Sequence, residues 1–368
     1  MKVNQFKPWV GEEEYKEIEG CFTENWITEG PKSKEFVKQL LDLTGAKYGV
    51  LAPNGTLAIY LALRAIDLKP GDQVLVPDFT FLGSASAVEM AGGVPVFIDV
   101  NKENFQLDLD SAEKFINPKT KAIMPVHIYG TMAKMDEVME FAKKHNLSVV
   151  EDAAQAIGVH YKDKHAGTYG DVSIFSFFAD KTITTAEGGL VVTNDKKKYE
   201  KLLYLRNQGR IERGSFIHPE IGYNFRMTDL QAAVGLVQLG KLDQIIERKN
   251  KIKDYYFNRL SKIKEINFFK PFDGADWIPF RVGILVEEAE KLMKYMSENE
   301  VEVRTFFYPL HKQPCFKYLK DIIPETLDSK NYPNSIYGYE YGICLPSFPT
   351  LSEEELDYVC TVIEKYYE

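Results

Sequence analysis

Short apolar runs set apart by stretches of helical spacing constrain this chain more than any other feature. The runs cover residues 73–76, 94–98, 122–126, 147–150, 173–177 and 190–193. Helical spacing appears over 33–43, 57–66 and 135–145. Strands that alternate with helices predict a largely parallel sheet covered on both faces. From about residue 230 the pattern changes. Residues 229–256 read as one long helix or two in sequence. A strand over 280–285, a helix over 287–298, a second strand over 301–306 and a terminal helix over 352–367 follow. The expected fold class is α/β: a large unit over 1–245 that includes the N-terminal segment, then a smaller α+β unit over 246–368.

At 368 residues and 45% hydrophobic content the chain can bury a core of that size. A net charge of -9 argues against general nucleic-acid binding, although a local basic pocket can still hold an anion. Cys21, Cys315, Cys344 and Cys360 are scattered and form no CxxC pair, so neither a disulfide framework nor a metal site is expected. The first residues lack an apolar signal region, and no stretch is long enough to span a bilayer. A cytoplasmic protein without a membrane partner is expected.

Three local patterns carry chemistry. Asn54-Gly55-Thr56 stands directly before the helical stretch 57–66. A helix N-terminus presents unpaired N–H groups and a positive dipole end, which suits a phosphate. Gly55 permits close backbone approach and Thr56 adds a hydroxyl, though the same residues also make an ordinary N-cap. Glu151-Asp152 ends the run 147–150. Ligands of open α/β sheets bind beyond the carboxyl ends of strands. A carboxylate there can pair with a cationic ring nitrogen or a metal, or simply cap the next helix. Lys181 follows the aromatic run 173–178 and precedes a polar turn ending in Glu187-Gly188-Gly189. Most lysines are solvated surface residues. One beside a buried apolar strand can lose its charge by desolvation, and the neutral amine can attack a carbonyl. Cradle, carboxylate and Schiff-base lysine together are what pyridoxal 5'-phosphate (PLP) requires.

These and further motifs resemble the DegT/DnrJ/EryC1/StrS family of sugar aminotransferases, which have the aspartate-aminotransferase type I fold. The matching segments are 26–30, 54–58, 77–81, 151–158, 175–178, 187–189 and 222–229, so the resemblance runs from about residue 25 to 349. It implies that Lys181 binds PLP and moves the proton, and that Asp152 keeps the pyridine nitrogen protonated. Gln155 would contact the ring hydroxyl, Phe81 would stack on the ring, and Gly55, Thr56 and Ser176 would bind the phosphate. Asn224 would reach the phosphate of a neighbouring subunit's cofactor, in a homodimer with a shared active site. Trp26, Thr28, Tyr308 and His311 fall in the family's sugar-contacting segments, and Arg213, with Arg210 and Lys312, offers cations for a diphosphate. The segments 122–130, 181–185 and 306–311 are similar to those of perosamine synthases, which aminate C4 of a GDP-linked 4-keto-6-deoxy sugar. Gln155 stands where those enzymes are expected to have Glu, and Asp229 where Asn is expected. The stretches 210–219 and 274–281 match poorly.

The implied reaction moves an amino group from L-glutamate to a keto-sugar nucleotide. A small keto phosphate is the alternative acceptor, because the weakly matching loops are the ones expected to meet the nucleotide. A PLP-dependent sugar dehydratase is the alternative chemistry; such enzymes carry histidine where this chain has Lys181, and a Schiff-base lysine favours transamination.

Overall fold

The computed structural model describes residues 1–210, 214 and 216–368. Helices α1 (Glu12–Thr23) and α2 (Pro31–Thr44) lead into strand β1 (Tyr48–Ala52). Then follow α3 (Gly55–Ala65), β2 (Gln73–Pro77), α4 (Leu82–Met90), β3 (Val94–Ile98), α5 (Leu109–Glu113), β4 (Thr120–Ile123), α6 (Met135–His145) and β5 (Ser148–Asp152). A small hairpin, β6 (His160–Tyr161) and β7 (Lys164–His165), precedes β8 (Val172–Ser176), β9 (Gly189–Thr193) and α7 (Lys196–Leu205). The central sheet has the order β1-β9-β8-β5-β4-β2-β3. The ladder from β8 through β3 is parallel, and β9 runs antiparallel to both its neighbours. The expected mostly parallel sheet is therefore present, with one reversed strand.

Side chains of a strand alternate between faces, and two buried layers result. Val149 packs with Phe141 on one face, and Val150 with Leu61 on the other. At about 25 cal/mol per Å² of apolar area buried, these layers supply most of the drive to fold.

The stretch 229–256 resolves into two helices, α8 (Asp229–Gly240) and α9 (Leu242–Leu260), broken at Lys241 directly after a glycine. The remaining elements are β10 (Asn267–Phe268), β11 (Val282–Leu285), α10 (Ala289–Glu298), β12 (Arg304–Thr305), α11 (Pro333–Tyr341), β13 (Gly342–Leu345) and α12 (Glu353–Tyr367). Their strands form an antiparallel sheet in the order β10-β11-β13-β12. Leu242 and Ile245 pack into the large core, whereas Ile252, Tyr256 and Leu260 pack with Val282, Leu292 and Val359. We place the change of unit within α9 on that account. Val3 bridges Val301 and packs with this C-terminal cluster, so the first residues lie against the smaller unit rather than the large one. Phe79, Phe105 and Tyr129 meet Phe269, Phe280 and Phe306 in an aromatic cluster that joins the two units. No helix among the described residues is long and apolar enough to cross a membrane.

Candidate active site

Because β1, β2, β5 and β8 all run one way, their carboxyl ends share one edge of the sheet. That edge collects Gly55 and Thr56 after β1, Phe81 after β2, Asp152 at the end of β5 and Ser176 at the end of β8. The chain then turns through Lys181, whose N–H donates to the Phe178 carbonyl at 2.9 Å, and returns as β9. Gly55, Thr56, Phe81, Asp152, Gln155, Ser176 and Lys181 line one cavity of about 590 Å³.

The strand pleat separates the two acids at the end of β5. Glu151 lies on the α6 face and is fully buried. It accepts from the N–H groups of Gly167, Tyr169 and Gly170 at 2.9, 2.8 and 2.6 Å, from Ser173 Oγ at 3.0 Å, and pairs with His127 at 3.0 Å. Its carboxyl is held below the usual range: burial opposes this, and His127 with the backbone donors outweighs burial. Glu151 is structural. Asp152 lies on the α3 face, where Ser84 Oγ donates to Oδ2 at 2.7 Å and the Ala154 N–H to Oδ1 at 3.1 Å. These bonds fix the carboxylate at the cavity wall.

Asn54 Oδ1 caps α3 by accepting from the Leu57 N–H at 2.9 Å. The cap and the cradle coexist, because the first N–H groups of a helix have no intrahelical acceptor. A Cβ on Gly55 would stand 2.9 Å from Ser176 Cβ, so only glycine lets the two cradle segments approach. Gln155 Oε1 accepts from the Tyr129 N–H at 2.8 Å, which leaves its amide NH₂ as a donor for a ligand. Lys181 Nζ lies 4.4 Å from the centroid of the Phe280 ring. Burial lowers its pKa, against the pull of Asp180 and Asp152, and Arg281 lowers it further. Burial of this kind favours the neutral, nucleophilic amine.

The far wall comes from residues that sequence reasoning missed: Tyr129, Phe280, Arg281, Arg304 and Cys344. The stretch 274–281 matched poorly, yet it delivers two of them. The Ile278 and Phe280 N–H groups donate to the carbonyls of Gly130 and Tyr129 at 3.0 and 3.1 Å. A Cβ on Gly130, at φ 84°, would meet the Ile278 oxygen at 1.8 Å, so the pairing requires glycine. The available signal was Arg281 itself, a charge beside the apolar run 282–286 that needs a buried anion. It has one in Asp180, at 2.5 Å.

The remaining expected site residues are elsewhere in this chain. Asn224 and Thr28 line a separate surface cleft of about 660 Å³ together with Arg206, Arg210 and Arg226. Asn224 Oδ1 accepts from Arg226 Nε at 2.8 Å. Trp26 is 41% exposed and donates to the Glu29 carbonyl at 3.3 Å, and Tyr308 packs edge-on against Tyr339. His311 must be corrected. Its Nδ1 bonds Asp78 at 2.8 Å, its Nε2 bonds Ser329 Oγ at 3.0 Å, and its ring stacks on Tyr332 at 4.4 Å. Both ring nitrogens are committed, so His311 is a buried structural residue with nothing left for a sugar. Arg213 lies outside the described residues. Asp229, noted for its departure from Asn, caps α2: Gly30, Lys32 and Ser33 donate their N–H groups to it at 2.8, 3.1 and 2.9 Å.

The model of the DegT/DnrJ/EryC1/StrS aminotransferase family matches residues 8–364. The chain belongs to that family. It is 38% identical to the GDP-perosamine synthase of Escherichia coli O157:H7 over 366 residues, covering 98% of each. The GDP-perosamine synthase of Vibrio cholerae is 33% identical over 368 residues, again 98% of each. Spr1654 from Streptococcus pneumoniae in its PLP form superimposes with a TM-score of 0.91, at 28% identity, over 99% of both chains. The fold is the aspartate-aminotransferase type I fold expected, and the enzyme is a PLP-dependent aminotransferase. The cavity fits that cofactor on its own evidence: the glycine-dependent cradle at Gly55 and Ser176, the anchored Asp152 carboxylate, and a buried lysine of lowered pKa.

Proposed function

We propose that this enzyme moves the amino group of L-glutamate to C4 of a nucleotide-linked 4-keto-6-deoxy sugar, in the cytoplasm, for surface polysaccharide biosynthesis. The full-length similarity to two GDP-perosamine synthases carries the reading. A cavity of about 590 Å³, with Arg304 at its exposed side, has room and charge for a sugar phosphate.

PLP supplies an electron sink for the carbon that gains or loses nitrogen. The chain's own residues supply the rest. Gly55 and Thr56 offer helix-terminal N–H groups, and Ser176 a hydroxyl, to the phosphate. Asp152, oriented by Ser84, keeps a ring nitrogen protonated. Gln155 donates through its free amide NH₂. Lys181 Nζ, its proton held less tightly because it is buried, takes a proton from the reacting carbon and returns it. Asn224 completes the phosphate site of a partner subunit, which makes the working unit a homodimer. Supporting this, Phe216 and Ile221, which precede Asn224 in sequence, are 86% and 78% exposed, and exposed apolar groups mark contact surfaces.

The test is single-turnover reaction of the amino-loaded enzyme with GDP-4-keto-6-deoxymannose and with small ketone phosphates, followed by cofactor absorbance. Faster reaction with the sugar nucleotide is expected. Faster reaction with every small ketone phosphate overturns the acceptor and leaves the aminotransferase in place.

A further inference from the structure

Asp180, Lys181 and Arg281 line the large cavity and also a second cavity of about 20 Å³, whose other walls include the N-terminal residues Phe6 to Trp9. They are the wall between the two. Three buried oxygens of residues lining the small cavity have no protein partner: Asp180 Oδ1, Thr182 Oγ1 and Ser347 Oγ. A buried water needs roughly 10–15 Å³ and two to four polar partners, and this cavity offers both. Lys249 lines it too and is 3% exposed. Its nitrogen donates to the Pro279 and Ser347 carbonyls, at 3.2 and 3.5 Å.

The cluster is ordered around Asp180. Arg281 donates to Asp180 Oδ2 at 2.5 Å and stacks on Phe280 at 4.4 Å, the same ring and the same distance as Lys181 Nζ. The charges acting on Lys181 are Asp180 and Asp152, which favour its cation, and Arg281, which disfavours it. Those acting on Lys249 are Arg281 and Asp180. Lys7 is the remaining charged residue around the small cavity.

We propose that Asp180 is a positioning residue that sets the protonation of the Lys181 nitrogen, itself oriented by Arg281 and by one water held in the small cavity. Asp152 is held by Ser84 and the Ala154 N–H, whereas Asp180 directly precedes Lys181 and holds the Arg281 guanidinium that shares the Phe280 ring with Lys181 Nζ. Its carboxylate holds a proton on the Lys181 nitrogen, and Arg281 limits that hold. The residue can then both give and take a proton during one turnover. The inference rests on Lys181 carrying PLP.

The test is a pH titration of the absorbance of the Lys181-bound cofactor in the loaded protein. An opposite charge close by shifts a pKa by about one to three units. Asp180→Asn should lower the midpoint by about one pH unit or more, a tenfold weaker hold on the proton. Asp180→Glu should restore it, and Arg281→Gln should raise it. Opposite shifts from the two members of one ion pair are what a merely structural pair does not give. If Asp180→Asn fails to fold, the upward shift in Arg281→Gln carries the test. An unmoved midpoint in Arg281→Gln, or a shift of the same sign in both variants, overturns the proposal. No cofactor on Lys181 in the natural protein overturns the PLP assignment as well, which the same spectrum shows at once.

Discussion

Glu151 and Asp152 are neighbours in sequence and opposites in role. One residue of pleat sends Glu151 into five hydrogen bonds under α6 and Asp152 to the cavity, against Ser84. The sequence marked the pair but not the division, because that depends on which face of β5 meets α3. Lys181 was legible, since a lysine after a buried aromatic run has few other reasons to be there. His311 was not: its commitment to Asp78 and Ser329 is made across the fold, and no local pattern announces it. Lys249 offers a test by pH. Burial, then Arg281, pushes its pKa down to about 7 from an ordinary 10.5, with Asp180 opposing. Between those values the unfolded chain binds a proton that the folded chain does not, so stability from this group rises with pH across the window and is absent below it. Denaturant titrations should show the natural protein gaining stability relative to Lys249→Met from pH 7 to pH 10. A constant difference across that range would contradict the lowered pKa.

At the scale of elements, the strand and helix pattern of the large unit was readable because apolar runs and 3.6-residue spacing are strong signals. The reversal of β9 was not, since alternation carries no direction. Short β1 and β13 also went unread: each contains a glycine and runs to five residues or fewer. Asp229 shows how one residue fixes an element. Its carboxylate accepts three N–H groups at the start of α2 and the Ser33 hydroxyl at 2.5 Å, and so ties α2 to α8. Asp229→Ala leaves those donors buried without acceptors, which costs about 1–3 kcal/mol. Asn should recover part of the loss. Chemical denaturation measures both, and an alanine variant as stable as the natural protein would show the cap to be idle.

At the scale of the molecule, the site is assembled from both units. The large one supplies the cradle, Asp152 and Lys181; the smaller one, and the segment leading into it, supplies Phe280, Arg281, Arg304 and Cys344. Asn224 faces a different cleft, and the proposed homodimer gives it a purpose. Asn224→Ala should then loosen PLP, and dilution of the natural protein should lower activity as dimers part. A monomer that keeps its cofactor and full activity would contradict the shared site. The central claim is that Lys181 holds PLP and moves the proton. Lys181→Ala should lose about 10²–10⁴-fold or more in turnover while its melting temperature stays close to that of the natural protein. The most direct measurement is borohydride reduction of the loaded enzyme followed by peptide mapping. The account predicts the reduced cofactor on Lys181 alone; the label on another lysine, with Lys181 unmodified, would contradict it.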